Sequence, residues 1–453
     1  MFASKDAFFT NNSGYTIARS VRLRSSASAY FSRTPATTTN RQIWTWSGWV
    51  KRGELGANEA TLFSSRVSST YTQFSFRNSG SPTPNQFLLQ SRTGASEEIT
   101  LVTTQVFRDP SAWYHIVVAV DTTQATSTNR VKIYSNGSQI TSFSTSTYPS
   151  QNLNTMVNFA QAHAIGNDAS GGSLFGGYLT EINFIDGQAL TPSSFGETDS
   201  ITGVWKAKKY GGTYGTNGFY LNFSDNSAAT ATAIGKDLSG NANNWTPNNI
   251  SVTSGVTYDS MTDVPTLTSA TAANYAVLNP INKQATSYYA LSNGNLQFDY
   301  TASGSDIPSY GTICVSSGKW YFEGTYAVAS GIANRGAIGI TADVGALDSL
   351  GNNPASFGYR ESGSKNSVSG GLQAYGASYA VNDVIGVALD MDAGTVTFYK
   401  NGASQGTAFS GLSGSFTAGV CGFTPCRWIL NFGQRPFSYT PPTGFVALNT
   451  NNL

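Results

Sequence analysis

Charge is scarce in this chain. Only 11% of its 453 residues are Asp, Glu, Lys or Arg, against about 25% in an average globular protein. Lys and Arg total 26, Asp and Glu 25, and the net charge is +1. Nothing electrostatic therefore draws the chain to nucleic acid or to an anionic membrane. Histidine is rarer still, with two residues, and cysteine numbers three. Three cysteines make no disulfide framework, and without a CxxC pair they make no zinc site. Cys314, Cys421 and Cys426 are expected as free thiols, with a local Cys421–Cys426 bridge as the alternative. No apolar run reaches the ~18–20 residues of a membrane span, so no membrane insertion is expected. The opening MFASKDAFFTNNSGYT has no basic stretch followed by a long apolar one, which predicts synthesis in the cytoplasm without a secretory signal. Helical periodicity is nearly missing as well.

What the chain does have is turns and strands. Glycine numbers 47 and aromatics make up 13%, too many aromatics for a disordered chain. Apolar or alternating runs fall at 43–50, 114–120, 131–134, 179–185, 320–322, 384–389, 395–399 and 428–432, separated by Gly, Asn, Ser and Pro. Many short strands with frequent turn signals predict an all-β fold of antiparallel β-sandwiches.

One hairpin occurs twice. IVVAVD at 116–121 precedes VKIYSNG at 131–137, and IGVALD at 385–390 precedes VTFYKNG at 396–402. Asn-Gly is the pair best suited to a type I′ turn, which needs positive φ at both central residues. Alternation puts Val131 and Ile133, or Val396 and Phe398, on one face and the tyrosine beside the turn on the other. Two sandwich domains sharing this hairpin are expected. Their limits are residues 16–196 and 285–453, with an N-terminal arm at 1–15 and a Gly/Asn/Ser-rich connector at 197–284 that contains some strands.

Residues 20–195 resemble the laminin-G-like, concanavalin A-like sandwich family. The resemblance is carried by WTWSGWVKRG (44–53), ATLFSS (60–65), WYHIVVAVD (113–121), VKIYSNG (131–137) and GGYLTEINFIDGQALTPSSF (176–195), and DLSGNANNW (237–245) is similar to a segment often found in such proteins. Residues 285–445 resemble the SPRY family through GKWYFEG (318–324), AIGIT (337–341), FGYR (357–360), NDVIGVALDMDAGTVTFYKNG (382–402) and NFGQRPF (431–437). These resemblances imply a jelly-roll sandwich that binds glycan or protein, sometimes with calcium, followed by a sandwich that presents loops to a partner without catalysis. The pair in one low-charge chain resembles structural proteins of tailed bacteriophages, which reach the outside by lysis of the host. Such analogy carries fold further than function.

Chemistry is thin. Glycanases of the concanavalin A-like fold carry E-x-D-x-x-E or E-x-D-x-E on one strand, and retaining hydrolysis needs two carboxyls about 5–5.5 Å apart. In EINFID, Glu181 takes the first place, but Asn183 and Ile185 stand where carboxylates are needed. Asp186 could substitute only if a bulge re-aimed it. Glu181 is therefore expected to be an exposed strand residue, and no catalytic residue is assigned. His115 and His163 lack a GxSxG serine partner, and both are expected to be structural. Asp121 and Asp168 are weak calcium candidates by resemblance, with turn-forming Asx residues as the plainer reading. Lys206, Lys208 and Lys209 are expected to form a solvated basic run. Arg335, Tyr359, Arg360 and Tyr375 sit in or beside predicted loops of the SPRY-like part and are the ligand-binding candidates. The resulting expectation is a non-enzymatic virion protein, a tail fibre or appendage that attaches to host-surface glycan or protein. It would contact other virion proteins and form a homo-oligomer, with a trimer favoured. A capsid- or tail-attached decoration protein without a receptor role, a glycan-degrading enzyme and a cellular SPRY scaffold are the alternatives.

Overall fold

The computed structural model describes residues 15–55, 59–78, 80–82, 84–266, 269, 272–281, 289–301, 307–329, 336–342, 344, 350–422 and 425–453. Among them there is no α-helix, only strands, turns and three short 3-10 turns. The all-β expectation holds. Two compact units divide the chain, the first comprising residues 1–108, 112–252 and 259–273, the second 109–111, 253–258 and 274–453.

The first unit is a sandwich. One sheet has the order Ser138–Ile140, Val131–Ser135, Trp113–Asp121, Ile43–Arg52, Gly177–Asp186, Ser20–Leu23, Ser260–Met261, with Phe219–Leu221 also pairing Gly177–Asp186. The other has the order Phe143–Thr147, Ser96–Val106, Gln86–Thr93, Thr70–Phe76, Ala60–Val67, His163–Ile165, Tyr30–Arg33, Thr246–Asn248. Alternation along each strand sends Trp44, Trp46, Val118, Val120, Ile133 and Phe184 inward to meet Phe63, Phe74, Phe87 and Leu101 of the facing sheet. The outward residues Val117, Ala119, Tyr134 and Ile185 are not left bare. Phe195 packs on them together with the half-buried Leu190, Tyr210 and Tyr214.

The connector segment supplies that cover and more. Residues 219–221 pair with Ile182–Phe184, 246–248 with Tyr30–Ser32, and 260–261 with Ser20 and Val21. Trp245 is inserted in the core, 4.8 Å from Phe219 and 6.3 Å from Phe63, ring centre to ring centre. Asp237 closes DLSGNANNW on itself. Its carboxylate accepts the backbone N–H groups of Tyr220 (2.8 Å), Ser239 (2.8 Å) and Asn243 (2.8 Å). Two buried carboxylates fasten the end of the segment: Asp259 accepts from Arg22 (3.1 Å) and Arg24 (2.8 Å), and Asp263 from Lys51 (2.7 Å) and Trp113 (3.1 Å). Removing one partner of such a pair strands a charge away from water, at a penalty of about 3–5 kcal/mol. The residues of the N-terminal arm before Tyr15 lie outside the described residues.

The second unit also has two principal sheets. One runs Tyr289–Ser292, Gln297–Tyr300, Cys426–Asn431, Lys319–Val328, Val384–Asp390, Thr395–Lys400, Ala403–Ser410, with Val446–Ala447 parallel to Lys319–Val328. The other runs Ile307–Tyr310, Thr417–Gly422, Ala337–Thr341, Ser356–Arg360, Ser364–Ser367, Gly371–Ala374. Tyr326, Tyr359, Tyr379, Phe398 and Trp428 join the sheets as a chain of tilted and edge-on rings with centres 4.7 to 5.7 Å apart. The three cysteines form no disulfide, with Cys421 and Cys426 buried and Cys314 exposed.

Both predicted turns form. Asn136 and Gly137 have φ 46° and 82°, and Asn401 and Gly402 have φ 50° and 81°. Each asparagine folds its side chain back onto the strand it faces. Asn136 Oδ1 accepts from His115 N at 2.8 Å and Asn401 Oδ1 from Val384 N at 2.8 Å.

Candidate binding sites

EINFID is where hydrolytic chemistry would lie. Along Gly177–Asp186 the pairing with Ile43–Arg52 runs Thr180↔Trp49, then Asn183↔Ser47. Glu181 and Ile182 together therefore face Gly48, which makes a bulge. Glu181 takes φ 52° there, and Ile182 and Phe184 still point into the core. The expectation that Glu181 is exposed is overturned. It is 6% exposed, because the segment after residue 196 and the chain entering at Tyr15 cover this face of the sheet. The hydroxyls of Tyr15 and Tyr220 both donate to its carboxylate, Tyr220 at 2.8 and 2.9 Å. Burial pushes the carboxyl up to about 7, against the pull of these donors and of the Lys209 charge. Asp186, at the last place of the longer motif, alternates with the core residue Phe184 and so leaves the face that carries Asn183 and Ile185. Asn183 takes a hydrogen bond from Tyr214 (2.9 Å), and the two oxygens of Asp186 accept from Asn158 (2.9 Å) and from the backbone N–H of Asn217 (3.0 Å).

The histidines are structural. His115 lies between two indoles, with ring centres 5.0 Å from Trp49 and 5.9 Å from Trp205. Trp205 Nε1 donates to its Nδ1 (3.0 Å), so Nε2 carries the proton toward Ser47 (2.8 Å). Burial pushes its pKa down to about 3, and that of His163 down to about 4. The basic run is only partly free: Lys206 bridges Asp199 (3.1 Å) and Glu197 (3.5 Å), and Lys208 donates to the Ser193 carbonyl (3.1 Å).

Asp121 and Asp168 are turn residues in the structure. Asp121 accepts from Thr123 N (3.0 Å), Thr123 Oγ1 (2.6 Å) and Gln124 Nε2 (2.6 Å). Partial burial opposes its ionisation, and these donors outweigh it, so the carboxyl titrates below its usual range. Asp168 accepts from Ser170 N (3.0 Å), Ser170 Oγ (2.7 Å) and Gly172 N (2.9 Å). Among the described residues, no three His, Cys, Asp or Glu side chains gather as a metal site.

Asp121 does border a hollow of about 240 Å³ on the outer face of the first unit, with Ala119, Gln124, Asn129, Lys132, Tyr134, Leu190 and Thr191 around it. Apart from Asp121, sequence reasoning assigned none of these residues a ligand. The available signal was the placement of Tyr134 opposite the core face.

In the second unit the four loop candidates separate. Tyr359 and Arg360 belong to the strand Ser356–Arg360 and are 0% and 4% exposed. This corrects their placement at a binding surface: the strand is paired on both sides, to Ala337–Thr341 and to Ser364–Ser367. Tyr359 packs on Tyr379 and Phe398, and its hydroxyl donates to the Ala377 carbonyl. Tyr375 is half-buried, donates to the Gly406 carbonyl and meets Tyr359 edge-on at 5.4 Å. Arg335 lies outside the described residues. A wider trough of about 480 Å³ is lined by Gly351, Asn352, Asn366, Ser367, Val368 and Gly371.

The described residues thus form two β-sandwich domains. Residues 24–194 match the family model of the concanavalin A-like lectin/glucanases superfamily, and residues 319–435 match that of the SPRY domain. The chain thus carries a concanavalin A-like domain followed by a SPRY domain. Among curated proteins it is 33% identical over 138 residues to the ATP-dependent RNA helicase DDX1 of Xenopus laevis, covering 30% of this chain and 18% of the helicase. It is 34% identical over 158 residues to the Ran-binding proteins 9/10 homolog of Drosophila melanogaster, covering 33% and 16%. The chain spans under a fifth of the length of either relative. Among solved structures, the SPRY domain of human HERC1 is similar over 35% of this chain and 99% of its own, with 19% identity and a TM-score of 0.31. The stonustoxin structure is similar over 35% and 27%, with 22% identity and a TM-score of 0.28.

Proposed function

We propose that this chain is a non-catalytic binding protein of a tailed-bacteriophage particle, a tail fibre or appendage that attaches to glycan or protein on the host surface. The observation that supports binding over hydrolysis is the state of Glu181. It holds the first motif place in EINFID and is covered by Tyr15 and Tyr220, while Asp186, the other carboxylate of the segment, is bound by Asn158 and Asn217. The particle assignment rests on the domain pairing and the low charge, an argument by analogy. Several copies on one particle raise avidity through effective concentration, so a weak single site suffices. Assembly into a homo-oligomer, a trimer first, follows from the same need.

The test is to locate the chain on intact particles by immunogold electron microscopy and to pre-incubate host cells with purified protein. Labelling at the tail and blocked adsorption are expected. Labelling on the capsid with no block would favour a decoration protein instead. Shortening of host polysaccharide by the protein, abolished in Glu181→Gln, would replace binding with catalysis.

A further inference from the structure

The hollow bordered by Asp121 is more than a gap between loops. Ala119 and Asp121 alternate on one strand and Lys132 and Tyr134 on the next, with Ala119 directly opposite Lys132. All four side chains therefore share the outer face of the sheet. Leu190 and Thr191 form one wall, and the loop bearing Gln124 and Asn129 forms the other.

That loop is held in place before any ligand arrives. Arg130 donates to the carbonyls of Gln124 (2.8 Å), Ala125 (2.8 Å) and Pro149 (2.8 Å), and Asp121 grips Thr123 and Gln124. Beneath it, Ala119 and Tyr134 belong to a packed cluster with Val117, Ile185 and Phe195. A site whose walls are already ordered loses less freedom on binding.

Of the six polar side chains at this hollow, Asp121, Gln124 and Thr191 have partners and the other three are uncommitted. Among the described residues, neither the Lys132 ammonium, the Tyr134 hydroxyl nor the Asn129 side-chain amide has a hydrogen-bond or ion-pair partner, although Tyr134 is only 7% exposed. Lys132 and Tyr134 supply donors, Asn129 and Tyr134 both donate and accept, and Asp121 supplies an acceptor carboxylate. Between them lie the apolar surfaces of Ala119, Leu190 and the Tyr134 ring. Alternating donors and acceptors around a small apolar floor match a sugar ring, whose hydroxyls donate and accept and whose C–H face is apolar. The volume of about 240 Å³ is below the roughly 300–1,000 Å³ of drug-sized pockets, which limits occupancy to one ring.

We propose that this hollow is a saccharide-binding site for a single sugar residue, with Lys132, Tyr134, Asn129 and Asp121 as the contacting residues. It deepens the binding reading above and rests on it. The test uses the full chain on an array of immobilised mono- to tetrasaccharides, with Thr191→Trp and Lys132→Ala beside the unaltered protein. Thr191 is exposed at the rim, so the tryptophan obstructs the hollow without touching the core. At least one saccharide is expected to bind, with signal falling more than tenfold in Thr191→Trp and several-fold in Lys132→Ala, at unchanged melting temperatures. No binding to any saccharide overturns the proposal, and so does binding that Thr191→Trp leaves intact. Host-cell adsorption measured on the same samples separates the two readings: adsorption that persists without saccharide binding sinks the site alone, and loss of both sinks the site and the adhesin together.

Discussion

The two Asn-Gly hairpins have the same backbone and different lids. At both turns the asparagine N–H donates to the facing strand, to the His115 carbonyl (2.9 Å) or the Val384 carbonyl (2.8 Å), and its Oδ1 accepts from the same residue. At both, an aromatic ring lies on the turn glycine: a Cβ on Gly137 would come within 2.6 Å of Trp205, and one on Gly402 within 2.7 Å of Tyr439. In the first unit the lid is fixed by its own side chain, through the Trp205–His115 hydrogen bond. In the second it is fixed by its backbone, since the N–H groups of Ser438 (2.8 Å) and Tyr439 (3.0 Å) donate to Glu323. Local sequence thus determines the turn, while the covering element is supplied from elsewhere and differs between domains.

The largest expected effect follows from that difference. Gly137→Ala puts a Cβ at positive φ into an indole tied to a buried histidine and is expected to lower the stability of the first unit by about 3 kcal/mol. Gly402→Ala meets a phenol ring free to swing aside and should take about 1.5 kcal/mol from the second unit. Urea unfolding followed by domain-resolved hydrogen exchange measures both, and equal losses would break the comparison.

The next effect is a histidine-driven pH response that only the first unit can show. Both histidines lie in the first. Their folded pKa values are depressed to about 3 and about 4, so between those values and the unfolded value near 6.5 the unfolded chain binds more protons and stability falls with acidification. Glu181 acts oppositely. Its carboxyl is raised to about 7, so its contribution is full below the unfolded value near 4.5 and is lost as pH rises through 7. Between pH 4.5 and 6.5 the two histidines and Glu181 together take about 1.4 kcal/mol from the first unit per pH unit of acidification, and Glu59, whose carboxyl burial also raises, acts in the same sense as Glu181. Glu181→Gln should steepen this to about 2.7 kcal/mol per unit. An unchanged slope in that variant refutes the assignment of the raised pKa to Glu181.

Smaller effects are expected of the turn asparagines. Asn136→Ala removes one accepted hydrogen bond and should lower the stability of the first unit by about 1 kcal/mol, while Asn401→Ala also removes the donation from Asn401 Nδ2 to Asp383 (2.6 Å) and should lower that of the second unit by about 1.5 kcal/mol. Smallest of all is calcium. Because the oxygens of Asp121 and Asp168 already accept from neighbouring protein groups, millimolar calcium is expected to move the melting temperature of the first unit by under about 1 °C. A larger rise, lost in Asp121→Ala or Asp168→Ala, would establish a metal site.

The turns, the strand runs and the inward faces were legible because each follows from local chemistry: Asn-Gly geometry, period-2 alternation and aromatic enrichment. Glu181 was misread because a bulge is set by the partner strand, and nothing in EINFID itself announces that Gly48 will face two residues. Tyr359 and Arg360 were misread because FGYR is followed by the turn-rich ESGSKN, which hides a second paired strand. The segment from 197 onward has the composition of a linker. Its folding depends on a few widely spaced residues, Phe219, Asp237, Trp245, Asp259 and Asp263, whose partners lie up to 243 positions away. The hollow around Lys132 joins two strands and two loops that only the fold brings together.

The return of residues 219–252 and 259–263 into the first unit bears on how the protein is dissected. The family match ends at residue 194, and a fragment cut there would keep Arg22 and Lys51 while losing the aspartates that neutralise them, along with the indole that fills the middle of the sandwich. Such a fragment should be insoluble for reasons unrelated to ligand binding. One ending after Ala273 retains its counter-charges.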